Sequence, residues 1–182
     1  MKNVFVSVLV FLVLTVTQAF GYDLKTFSSD SKIIAAMQLL EECGEYEVFS
    51  NMKKNAIKVK FDTLPYSNVY AANAYDSFGR RVIIINSTYK NAPIEQIACL
   101  IAHESCHVAR KATLDEETRA TSKEAECWAK LKQVGKVYPQ NKLTRRLEKI
   151  SGLYIASAQD GNNYIEDKIA SSSFYRSQFG LN

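Results

Sequence analysis

Five residues constrain this chain more than any others: His103-Glu104-Ser105-Cys106-His107. On a helix, positions i and i+4 lie one above the other on the same face, so His103 and His107 can offer two imidazole nitrogens to one metal ion. Glu104 stands beside the first of them, where a carboxylate can accept a proton from activated water. The chain has two histidines in all, and both lie in this segment. Pro93 suits the first turn of a helix, where its missing N–H is not needed. Ile97, Leu100, Ile101 and Val108, with many alanines between them, give the segment a broad apolar surface. The pattern predicts one buried helix within 92–111 that carries both histidines and turns them to a cleft.

A metal held this way needs a third protein donor, and no histidine remains. Downstream, Thr113 with Glu116 and Thr121 with Glu124 each fit the capping pattern of a helix start, and Gly135 suits its end. Ala120, Glu124, Cys127, Trp128, Leu131 and Val134 recur at the spacing of a buried stripe. Glu124 is the charged residue of that set, and a carboxylate on a core-facing stripe is costly unless a metal or another charge compensates it. Glu124 is therefore the expected third ligand. Cys127 shares its face and is the main competitor. Glu117 lies near the stripe only ten residues after His107, which leaves little chain for the turn back, so it ranks third. Glu126 falls with Arg119, Lys123, Lys130 and Gln133 on the solvated face.

The chain resembles the gluzincins, zinc metallopeptidases with a His-Glu-x-x-His helix and a glutamate ligand on a second helix. The match covers roughly residues 92–131, and Glu124-Ala125-Glu126-Cys127-Trp128-Ala129 is similar to their Glu-x-x-Ala-Asp ligand motif. Cys127 stands where alanine is common, and Trp128 stands where a histidine-supporting Asp or Asn is common. Support for the histidines must then come from elsewhere. The resemblance implies a Zn2+ ion held by His103, His107 and Glu124, with Glu104 as general base.

Lys2 followed by the apolar run Val4–Val16, with small residues at Ala19 and Gly21, reads as a signal peptide over residues 1–21. The run is shorter than a membrane span. Residues 22–182 are expected to form one zincin-like catalytic domain, secreted or periplasmic, with no stable membrane span. In an oxidising compartment Cys43, Cys99, Cys106 and Cys127 could pair or remain small buried hydrophobes. Cys99 and Cys106 are two turns apart on one helix, about 10 Å, too far to bridge each other.

The expected fold class is α+β: a small sheet with a hairpin packed on the metal-binding helix, then a ligand helix and C-terminal helices. A helix is expected over Asp30–Cys43, where Ile33, Ile34, Met37 and Leu40 recur at helical spacing. Ile57–Phe61 alternates apolar and charged residues, as a half-buried strand does. Tyr70–Tyr75 and Arg81–Asn86 flank Asp76-Ser77-Phe78-Gly79, a hairpin turn with glycine available for positive φ. Val82–Ile85 is continuously apolar, which predicts a central or covered strand. Further helices are expected near Asn141–Gln159 and Ile165–Ser172.

The net charge of +4 includes no dense basic block. Lys142, Arg145, Arg146 and Lys149 read as a solvated helix face, so nucleic acid is not an expected partner. The expected activity is hydrolysis of a peptide or protein substrate lying extended along a strand edge. The resemblance implies a tyrosine that stabilises the oxyanion, and Tyr138, Tyr154 and Tyr164 are the available candidates. A zinc amidase acting on a cell-wall peptide is the nearest alternative, and a non-catalytic metal-binding interaction module is the alternative from another class. Retention of Glu104 speaks for catalysis, since a structural site has no use for it.

Overall fold

Capping residues placed by the sequence set the start of most helices. The computed structural model describes residues 21–180 apart from 67, 110, 111 and 134. Residues 1–20 of the expected signal peptide over 1–21, and the Val134 end of the buried stripe, lie outside the described residues. Helix α1 (Ser31–Glu42) begins at Asp30, whose side chain accepts from the backbone N–H groups of Lys32 and Ile33. It buries Ile33, Ala36, Met37 and Leu40. Helix α2 (Tyr46–Lys54) follows at once and buries Val48, Phe49 and Met52. This helix is not among the sequence expectations.

Strands β1 (Lys58–Asp62), β2 (Ala71–Tyr75) and β3 (Arg81–Asn86) form a mixed sheet in the order β1-β3-β2. β3 runs parallel to β1, with Lys58 opposite Val82, and antiparallel to β2, with Asn73 opposite Ile83. The apolar run Val82–Ile85 thus occupies the central strand, as its composition requires. The hairpin turn joining β2 to β3 closes with Asp76 N–H donating to the Arg80 carbonyl, and Gly79 adopts φ +74°. No fourth strand covers the outer edge of β2 among the described residues.

Helix α3 (Ile94–Ser105) carries the first part of the histidine segment through the centre of the molecule. It packs on α1, on β2 and β3, and on helix α4 (Leu114–Leu131). Helices α5 (Lys142–Asp160) and α6 (Tyr164–Ser171) pack on α4, and a last short helix, α7 (Ser173–Phe179), packs on α6. The architecture is α+β, a three-stranded mixed sheet with seven α-helices among the described residues. None of these helices is long and apolar enough to cross a membrane.

The buried stripe of α4 follows the predicted phase: Ala120, Glu124, Cys127, Trp128 and Leu131 all lie in the interior. Trp128 packs edge-on against Tyr138, with ring centroids 4.8 Å apart. The four cysteines stand unpaired, three of them buried. Burial pushes the Cys106 thiol up to about 11 and the Cys99 and Cys127 thiols up as well. They are inert core groups and not nucleophiles.

Candidate metal centre

Helix α3 stops at Ser105, two residues before His107, which corrects the expectation of a single helix through both histidines. The chain tightens instead: Cys106 N–H donates to the His103 carbonyl and His107 N–H to the Glu104 carbonyl, both three residues back. The early stop leaves carbonyls of the last turn without helical partners, and side chains from elsewhere supply the donors. Asn73 Nδ2, on β2, donates to the carbonyls of Glu104 at 3.0 Å and His107 at 3.1 Å. Arg81 reaches the His107 and Val108 carbonyls, and Arg119 reaches that of Cys106 at 2.7 Å. The segment that presents the imidazoles is therefore fastened to the sheet and to α4.

The two rings meet edge-on, with Nε2 of His103 and Nε2 of His107 3.2 Å apart. The carboxylate facing that pair belongs to Glu117. Its Oε1 lies 3.6 Å from His103 Nε2 and its Oε2 lies 3.6 Å from His107 Nε2. One donor atom from each of His103, His107 and Glu117 falls within 4.8 Å of the others, so these three residues could hold a metal ion.

Glu124, the expected third ligand, is placed on the other edge of the first ring. Its Oε2 stands 3.0 Å from His103 Nδ1, while its Oε1 takes an ion pair from Arg146 of α5. Glu116 occupies the matching place behind the second ring, its Oε2 3.7 Å from His107 Nδ1. Its Oε1 accepts the backbone N–H groups of Val108 at 2.6 Å and Ala109 at 3.0 Å. These bonds turn the chain back within a few residues of His107, and Thr113 caps the new helix by accepting from Glu116 N–H. Ten residues therefore suffice to bring Glu117 back to His107, a correction to its third rank as a ligand, and the helix starts at the Thr113 cap and not at Thr121. Cys127 lies in the core away from the converging donors, and Glu126 pairs with Lys123 and Lys130.

The ionisable groups respond to this crowding. Burial pushes the Glu104 carboxyl up, against the opposing pull of the two imidazoles. Burial would raise Glu124 too, but Arg146 and His103 hold it below its ordinary value. For Glu116 burial is likewise outweighed, here by the amides of Ala109 and Val108. Burial alone would lower His103, yet the contact with Glu124 carries it above its usual range.

The donor set fits a divalent cation. Glu104, Glu116, Glu117 and Glu124 are all buried around the two imidazoles, with Arg146 bound to Glu124 alone among them. Isolated buried anions are costly unless a cation offsets them. Nδ1 of each ring, Glu116 Oε2 and Glu124 Oε2 are buried with no aligned hydrogen-bond partner. Such atoms sit where carboxylates commonly orient metal-bound imidazoles.

The site opens into a cleft of about 530 Å³. β2 forms one wall with Ala71, Ala72, Asn73 and Tyr75, and α7 forms part of the opposite wall with Phe174, Tyr175 and Gln178. The chain matches no protein-family model, no curated protein and no solved structure. Its chemistry therefore rests on this geometry.

None of the three tyrosines expected at the site lines the cleft. Tyr138 packs on Trp128 and accepts from Gln133 N–H at 3.1 Å, and Tyr164 donates to Asp160 at 2.5 Å. Tyr154 is half-buried against the core. Tyr70, Tyr75 and Tyr175 line the cleft instead. Arg146, expected on a solvated face, turns inward to Glu124 and lies 5.8 Å from the Tyr70 ring centroid. A sequence signal for Glu117 did exist. Glu117-Thr118-Arg119-Ala120 places alanine three residues after the glutamate, where Glu124 offers Cys127.

Proposed function

We propose that the protein is a zinc-dependent peptidase of zincin-like architecture, with the ion held by His103, His107 and Glu117. The observation that carries this reading is the convergence of those three donors beside a buried glutamate at the base of a cleft. Two histidines and one carboxylate, with space for water, are the ligand set of catalytic and not of structural zinc sites. When bound, zinc supplies Lewis acidity, bringing the pKa of water towards neutrality and polarising a carbonyl.

The chain's own residues would do the rest. Glu104 is buried next to His103 and lines the cleft. There it would act as the general base that removes a proton from the attacking water and delivers it to the leaving amine. Glu124, 3.0 Å from His103 Nδ1, and Glu116, 3.7 Å from His107 Nδ1, stand on the ring edges where a carboxylate would orient a metal-bound imidazole and leave Nε2 for the ion. The uncovered edge of β2 runs along the cleft, where an extended peptide could add as a further strand. Asn73 ties that edge to the carbonyls of Glu104 and His107, so strand and base keep one register.

The test is cleavage of a mixed-sequence peptide library, with a cell-wall peptide amide as a second substrate. The expected result is hydrolysis that stops on chelation and returns with zinc. Cleavage of the cell-wall amide alone would make the protein an amidase. No zinc-dependent cleavage of either would overturn the catalytic reading.

A further inference from the structure

Glu117 receives a hydrogen bond from the far end of the chain. The Tyr175 hydroxyl, on α7, donates to Glu117 Oε1 at 2.6 Å across 58 residues of sequence. The Tyr175 ring stacks on Phe179 at 5.6 Å with the planes 10° apart, and meets Phe174 edge-on at 5.2 Å. The hydroxyl is thereby held in place by the helix that carries it. Among the described residues, Glu117 is the donor of the site that accepts a hydrogen bond from α7.

We propose that Tyr175 is a positioning residue for Glu117, and that metal binding and docking of α7 are coupled through this hydrogen bond. The inference rests on the reading of His103, His107 and Glu117 as the ligand set. With Oε1 engaged by Tyr175, the carboxylate cannot rotate away from the two imidazoles without breaking that bond. A hydrogen bond to a ligating carboxylate fixes its orientation and sustains affinity. The effect is reciprocal: an ion that pins Glu117 also favours the docked position of α7. A seven-residue helix has little stability of its own and depends on such contacts.

The test uses the full mature chain, with zinc affinity measured by chelator competition and amide exchange followed over residues 173–179 with and without zinc. Tyr175→Phe keeps the ring stacking and removes only the hydroxyl. The expected result is zinc affinity lower by roughly 10–100-fold, with the zinc-free variant still folded by circular dichroism. Ser177→Ala, on the exposed side of the same helix, should leave zinc affinity as it is. Zinc should slow amide exchange in α7 of the wild type and fail to do so in Tyr175→Phe. Equal zinc affinity of wild type and Tyr175→Phe would overturn the positioning role. Zinc binding by the wild type without added protection of α7 would overturn the coupling, whatever the variant does. Absence of zinc binding by the wild type would instead remove the metal reading itself.

Discussion

Glu117 and Glu124 stand two turns apart on one face of α4 and address opposite edges of the same imidazole. Glu124 lies 3.0 Å from His103 Nδ1, and Glu117 lies 3.6 Å from His103 Nε2. A ring held this way has one nitrogen oriented by a carboxylate and the other directed at the cleft. Helical phase places both glutamates on the buried stripe, but it does not say which of them meets which edge.

Glu104→Gln should retain zinc and lose activity, because an amide cannot accept the proton. The expected fall in kcat is on the order of 10²–10⁴-fold. Zinc content and peptide turnover measured on the same preparation would check this. Turnover at the wild-type rate would remove Glu104 from the mechanism.

Arg146→Met should destabilise the fold. Glu124 is fully buried, and the substitution leaves its charge without the guanidinium. The cost is roughly 3 kcal/mol, readable as a shift of the denaturant midpoint. Adding Glu124→Gln should recover part of that loss, since the two changes act on one pair. Full additivity would mean that the pair does not interact.

The ion pairs of Glu126 with Lys123 and Lys130 on α4 predict an acid-sensitive contribution to stability. Burial would raise Glu126, but the bonds from Lys130 and Lys123 outweigh it and hold the carboxyl below its ordinary value. A carboxyl depressed in the folded state stabilises above its unfolded pKa, and the contribution is lost as pH falls through the folded value. Glu126→Gln should therefore cost about 1 kcal/mol near neutrality, and the difference from wild type should shrink in acid. Unfolding curves recorded from pH 7 down to about pH 3 would show it. A difference that is constant over that range would contradict the assignment.

The local parts of this protein were legible in its residues. The helical spacing of Ile33, Met37 and Leu40, the Asp76–Gly79 turn and the apolar run of β3 are each carried by residues near one another in sequence, and each structure formed where its signal lies. His103, Glu104 and the phase of α4 were legible for the same reason. The parts that escaped depend on contacts across long stretches of chain. Glu117 reaches the histidines because Glu116 holds the amides of Val108 and Ala109, a tertiary turn that no periodicity encodes. Arg146 looks like one of four solvated cations until α5 is packed on α4. Tyr175 comes to the site from a helix that the sequence pattern did not reveal.

Zinc affinity of wild type, Glu117→Ala and Glu124→Gln, measured side by side by chelator competition, tests the central claim most directly. The account predicts one zinc per chain in the wild type. It predicts a loss of roughly 10–100-fold for Glu124→Gln, as for a group that orients a ligand, and a larger loss for Glu117→Ala. A wild type that binds no zinc, or a Glu124 variant weaker than the Glu117 variant, would contradict it.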